Sequence, residues 1–269
     1  MKWIFFLMLF PGNVMGQTIF LAAGQSNAVG MADSATSVQC APGTAFEYRY
    51  KANTLAHLKD PVGNADLKFE SAMTGSAWPA FAKAYHELTG KKVVIVPAAR
   101  GGSSCTAKAE LEGNGTWSEQ GRLLLFDSAV VKARAAMKLC HQPISGVLWS
   151  QGERDANAVN AKQLTPEEYE AGLIKLIARF RKELGATLPF YIIQTGHFTG
   201  HSDEGFDAIR KAQEHVAGQL KNVYIVYGQT IDFPAKGMMQ DEIHYNQAAL
   251  NEIGTTAARQ VVLKEKKKT

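Results

Sequence analysis

Cysteine is scarce: only Cys40, Cys105 and Cys140 occur in 269 residues. None stands in a Cys-x-x-Cys or Cys/His spacing, so no metal centre is implied. The odd count leaves at least one thiol unpaired. A Cys40–Cys105 bridge between loops stays open, whereas Cys140 ends a helix-like run and reads as a small buried apolar residue. Charge of one sign is scarce too. The formal net charge is +4, and much of that excess sits in the tail from Lys264 to Lys268, the usual composition of a solvated end. No basic stripe with interleaved aromatics occurs, so no nucleic-acid partner is expected. There are no internal repeats, which argues against a solenoid or propeller. After residue 16 no apolar run is long enough to span a bilayer.

The one concentrated apolar stretch is at the start. Lys2 supplies a positive residue, Trp3 to Phe10 is an apolar run too short to cross a membrane, and Val14 and Gly16 are small enough to precede a cleavage site. Pro11-Gly12-Asn13 breaks any strand there. Residues 1–16 therefore read as a signal peptide, with cleavage before Gln17 and a secreted or periplasmic location. Residues 17–269 read as a single domain with a basic C-terminal tail; composition is ordinary globular, at 46% hydrophobic and 20% charged.

Beyond Gln17 strands and helices alternate. Strands are expected at Thr18–Ala23, Lys92–Pro97, Ile144–Trp149, Leu188–Gln194 and Val223–Tyr227. Helices are expected at Trp78–Leu88, Leu123–Leu139, Thr165–Leu184, Phe206–Leu220 and Asn246–Leu263. The clearest helix starts with Thr165 as cap, Pro166 in the first position and Glu168 completing a capping box, and Gly185 follows its end. Alternation of this kind predicts an α/β domain, doubly wound, with a mostly parallel sheet of about five strands. The stretch from Ser34 to Met73 has weak periodicity and reads as an irregular excursion.

Ligands of such sheets bind beyond the carboxyl ends of the strands, so the residues just after each strand matter most. After the first strand comes Gly24-Gln25-Ser26-Asn27. Ser26 stands at a strand-to-helix junction, where it is either a helix cap or a nucleophile whose own N–H faces a developing oxyanion. An α/β-hydrolase elbow is ruled out, because Gln25 separates Gly24 from Ser26. After the second strand Gly101 and Gly102 let backbone approach a ligand closely and present an N–H. After the third, Gln151 brings an uncharged amide and Glu153 a carboxylate. Near the C-terminus Asp241 and His244 lie three residues apart, a spacing at which a carboxylate can fix the imidazole tautomer and leave the other nitrogen to accept a serine proton. Glu153, two residues from Gln151, remains an alternative acid.

These blocks resemble the SGNH hydrolase superfamily, and within it the sialate O-acetylesterase-like branch that includes the acetylxylan esterases of carbohydrate esterase family six. The resemblance rests on GQSN at Gly24–Asn27, the glycine loop at Arg100–Ser103, WxQGE at Trp149–Glu153 and DxxH at Asp241–His244, in that order over essentially the whole mature chain. It implies a three-layer flavodoxin-like fold, an acetylated carbohydrate as substrate, and no cofactor or metal. It also implies Ser26 as nucleophile, His244 as base, Asp241 as orienting acid, and an oxyanion hole from the N–H of Ser26, a glycine N–H of Gly101-Gly102, and the amide of Gln151. Two other readings are a lipase or thioesterase on the same scaffold, and a carbohydrate-binding protein without catalysis.

Overall fold

A computed structural model describes residues 16–267. The expected signal segment, apart from Gly16, lies outside them. The sheet has seven strands: β1 (Gln17–Gly24), β2 (Ala45–Arg49), β3 (Thr54–His57), β4 (Lys92–Ala99), β5 (Ile144–Ser150), β6 (Phe190–Ile193) and β7 (Val223–Tyr227), in the order β3-β2-β4-β1-β5-β6-β7. All neighbours are parallel except the β2–β3 pair. The five expected strands form a continuous block from β4 to the β7 edge, in the order that defines flavodoxin-like sheets, with the chain switching direction between β1 and β5.

The two extra strands come from the stretch read as irregular. They form a short antiparallel hairpin at the sheet edge, turning near Asn53 at a φ of 48°. Strands of five and four residues are too short for alternation to stand out from loop. β2 is held by its pairing with β4.

Helices cover both faces. On one side α2 (Trp78–Thr89) packs on α7 (Gln247–Lys266), and with Phe20, Ala22, Val93 and Ile95 they form one core. On the other, α3 (Phe126–Cys140), α5 (Pro166–Leu184) and α6 (Glu204–Gln219) pack on Ile19, Leu21, Val94 and Val96. Alternate residues of a central strand thus feed opposite cores, as the two-residue strand period requires. The capping box of α5 is formed as expected: Thr165 accepts from the N–H of Glu168, and the Glu168 side chain accepts from the N–H of Thr165. Asn246 caps α7 by accepting from the Ala249 N–H at 3.1 Å.

All three cysteines are free. Cys40 belongs to the core on the α2–α7 side and Cys105 to the core on the opposite side, so the sheet separates them and the open Cys40–Cys105 bridge does not form. Burial pushes the Cys40 thiol up to about 11 and Cys105 well above its ordinary value, which makes both poor nucleophiles. Among the described residues no helix is long and apolar enough to cross a membrane.

Candidate active site

The site lies at the carboxyl ends of β1, β4 and β5, where the strand order reverses. Gly24 ends β1 at a φ of 141°, and a Cβ there would sit 2.0 Å from the Ser150 carbonyl oxygen. Only glycine allows β1 and β5 to remain this close. The Gly24 carbonyl accepts from the Arg100 N–H and from the Ser103 hydroxyl, and the Gln25 N–H donates to the Ser150 carbonyl. Three strand ends are therefore tied to one dipeptide, and the next residue is Ser26.

Ser26 opens α1 (Ser26–Val29) and is 7% exposed. As the first helical residue its N–H has no intrahelical acceptor. Its Oγ lies 2.9 Å from Nε2 of His244, and Nδ1 of His244 lies 2.7 Å from Oδ2 of Asp241. An ionised carboxylate only accepts, so Nδ1 carries the ring proton and Nε2 is the acceptor facing the serine hydroxyl. Oδ1 of Asp241 accepts from the N–H groups of Ile243 and His244. Burial raises the Asp241 carboxyl, but the hydrogen bonds from the His244 ring and from these two backbone N–H groups outweigh it and leave it below its ordinary value. The acid stays ionised at neutral pH.

Asn27 fixes this loop from the other side. Its Nδ2 donates to the Ile243 carbonyl at 3.3 Å and its Oδ1 accepts from the Tyr245 N–H at 3.2 Å, so one amide grips the residues on both sides of His244. Nδ2 also donates to Oε1 of Glu153 at 2.8 Å. Glu153, 1% exposed, opens α4 (Glu153–Asn160). Burial pushes its carboxyl up; Asn27, its own N–H, the charge of His244 and Thr195 pull it back only in part. Glu153 thus holds the residue that holds the histidine loop, while Asp241 makes the direct bond to the ring. The role of Asn27 was missed in the sequence, although its place beside the serine and its paired donor and acceptor were visible.

The Gln151 amide is tied to its neighbours. The sequence and the resemblance place its amide in the oxyanion hole. Here the residue is wholly buried, and Nε2 faces Oδ2 of Asp155 at 2.5 Å, the Ser103 carbonyl at 3.3 Å and Oε1 of Gln25 at 3.3 Å. Two amide protons are shared among three acceptors. Asp155, also fully buried, further accepts from the N–H groups of Cys105 and Thr106 and from the Thr106 hydroxyl. A buried carboxylate is so costly to leave unpaired that it draws every donor in reach. Oε1 of Gln25 accepts in turn from the N–H groups of Gly152 and Arg154. Gln25, Gln151 and Asp155 form the floor of the site.

Of the two glycines, Gly101 is next to Ser26: a Cβ built on it would be 4.0 Å from Cβ of Ser26. Its N–H donates to Oε2 of Glu70 at 2.8 Å. Gly102 adopts a φ of 64°, and a Cβ there would come within 2.3 Å of Nδ2 of Asn114. Beside Asp241 an open hollow of about 620 Å³ is lined by Phe198, Thr199, Asp241, Glu242 and Ile243.

A serine hydroxyl on an imidazole that a carboxylate orients, set at the switch point of a flavodoxin-like sheet, is the arrangement of the SGNH-type hydrolases. The family described as carbohydrate esterase, sialic acid-specific acetylesterase matches residues 16–263, and the chain belongs to that family of carboxylic ester hydrolases. Among solved structures it is similar to a protein from Arabidopsis thaliana, with 24% identity, a TM-score of 0.66, and coverage of 92% of this chain and 98% of that one. It is more distantly similar to a carbohydrate esterase family 2 enzyme with a carbohydrate-binding domain from Corynascus thermopiles (Myceliophthora fergusii), at 10% identity and TM-score 0.49, covering 92% of this chain and 66% of that one. A two-domain esterase active on acetylated mannans gives 11% identity and TM-score 0.45, over 93% of this chain and 50% of that one. No curated protein matches the chain.

Proposed function

We propose that this protein is an exported serine esterase that removes O-acetyl groups from carbohydrates through an acetyl-enzyme intermediate. The observation that carries the reading is the unbroken chain Ser26 Oγ–His244 Nε2 and His244 Nδ1–Asp241 Oδ2, at 2.9 and 2.7 Å. Its geometry suits each proton transfer. Ser26 attacks the acetyl carbonyl as its proton passes to Nε2. The imidazolium is stabilised by Asp241 directly and by the buried Glu153 at longer range. The N–H groups of Ser26 and of the Gly101-Gly102 loop receive the oxyanion. The sugar hydroxyl leaves with the proton from Nε2, forming acetyl-Ser26. Water then attacks the acyl group, His244 takes its proton, and acetate leaves as Ser26 is restored. Family membership favours acetyl as the acyl group. The hollow beside Asp241, with Phe198 on its wall, offers a surface on which a sugar ring can rest. Export rests on the N-terminal sequence, and intact mass of the mature protein beginning at Gln17 is its check.

Acetate release from a panel of acetylated glycans tests the substrate, and Ser26→Ala tests the chemistry. The variant should fold as the parent does and lose about four to six orders of magnitude in kcat. Turnover of an aryl acetate near the parental rate would falsify the assignment of Ser26.

A further inference from the structure

The backbone N–H of Gly101, the glycine beside Ser26, is already occupied, and its occupant is a carboxylate. Oε2 of Glu70 accepts from the Gly101 N–H at 2.8 Å. A Cβ on Gly101 would lie 3.1 Å from that oxygen and 4.0 Å from Cβ of Ser26, so the carboxylate and the serine both border Gly101. A carboxylate there opposes the reaction twice. It competes with the oxyanion for the same donor, and it repels the charge that develops on the carbonyl oxygen.

The surroundings show how it can leave. The Glu70 backbone is fixed, its N–H donating to the Ala99 carbonyl at the end of β4. Its side chain, however, is 42% exposed, and Oε1 already lies 3.8 Å from Nη1 of Arg100. Arg100 does not move to meet it: Nη1 donates to the Lys68 carbonyl, and Nε and Nη2 donate to the Gly113 carbonyl. A pinned guanidinium beside a half-exposed carboxylate offers that carboxylate a closer, charge-assisted bond once its bond to Gly101 is given up.

We propose that Glu70 is a specificity-determining residue that closes the oxyanion donor of Gly101 until the substrate draws it off. The group able to do so is a free hydroxyl next to the acetylated one, which donates to the carboxylate as it turns toward Arg100 and leaves the Gly101 N–H to the ester carbonyl. Such a residue favours partly acetylated sugars over fully acetylated sugars and over simple or aryl acetates, which have no donor to offer. With those substrates only the fraction of enzyme already open reacts. The inference rests on the esterase reading and narrows its substrate class.

Three substrates test it: para-nitrophenyl acetate, a monoacetylated pyranoside with a free neighbouring hydroxyl, and the same pyranoside fully acetylated. Each is measured with the parent, Glu70→Ala and Glu70→Gln, with melting temperatures to establish folding. In Glu70→Ala, kcat/KM on the aryl acetate should rise about tenfold as the donor is uncovered. KM for the monoacetylated sugar should rise by a similar factor, so the preference for it over the other two collapses. Glu70→Gln, which keeps an acceptor and loses the charge, should fall between. The labelling rate of Ser26 by a fluorophosphonate should rise in the same order, and this readout needs no sugar. A parent inert on every glycan but labelled faster after Glu70→Ala would end the carbohydrate reading and keep the closing role of Glu70. Equal losses on all substrates with slower labelling, or no change in any readout, would overturn the inference.

Discussion

The floor and the rim of the site use the same residue types for opposite purposes. On the floor, Asp155 and Glu153 are wholly buried, and each joins segments far apart in the chain: Asp155 ties α4 to the loop at Cys105 and Thr106, and Glu153 ties α4 to Asn27. On the rim, Asp241 has a side chain 52% exposed, and its partners are the ring and backbone of residues two and three positions away. Burial makes a carboxylate a structural anchor, since losing a partner in low dielectric is costly. Exposure leaves Asp241 free to serve the imidazole with little role in holding the fold. Floor changes should therefore act on stability, and rim changes on rate.

Asp241→Asn gives the sharpest separation. It should cut kcat by about three to four orders of magnitude by favouring the wrong tautomer of His244, while the melting temperature moves by no more than about 2 °C. A larger loss of activity from Glu153→Gln than from Asp241→Asn would transfer the acid role to Glu153. On the floor, Gln151→Ala removes the donor to Asp155 and leaves a small cavity. Unfolding measured by denaturant should show a loss of about 2 to 4 kcal/mol, with kcat of the folded variant within about threefold of the parent. Unchanged stability together with a hundredfold fall in kcat would return Gln151 to the oxyanion hole.

The smallest effect concerns pH. Burial raises the Glu153 carboxyl above its ordinary range, so the folded chain holds that proton more tightly than the unfolded chain does. Stability linked to this proton is present at acid pH and is lost as pH rises from the ordinary glutamate range through the raised folded value. Glu153→Gln keeps an acceptor for Asn27 and cannot ionise. The melting temperature of the variant minus that of the parent should therefore grow by about 2 to 4 °C between pH 5 and pH 8. A difference that shrinks over that interval contradicts the raised carboxyl.

The same division explains what was legible in the sequence. Strand ends carry local signals. Gly24-Gln25-Ser26-Asn27 and Asp241 to His244 can be read within a few residues, and the five expected strands and the capping box of α5 stand out by composition and spacing. The direction of the Gln151 amide was not legible. It depends on Asp155 at the next turn of α4, on Ser103 and on Gln25, and on the burial of all four. α4 itself begins in a polar stretch without an apolar stripe, and its buried residues include Glu153 and Asp155. Glu70 gave no signal at all, because only the tertiary course of the chain brings it to Gly101.

Ser26 and His244 are 218 positions apart. The first follows the first strand of the sheet, and the second precedes the helix that ends the described chain. α7 packs on α2, and His244 lies just before α7, so seating this late helix also seats the loop that brings His244 to Ser26. No partial fold contains a working centre. A chain still emerging from a ribosome holds Ser26 long before it holds His244, so the proposed hydrolysis waits on the late segment. On the proposed mechanism, turnover is therefore a gauge of whole-domain folding, sensitive to the last segment placed and blind to intermediates that lack it.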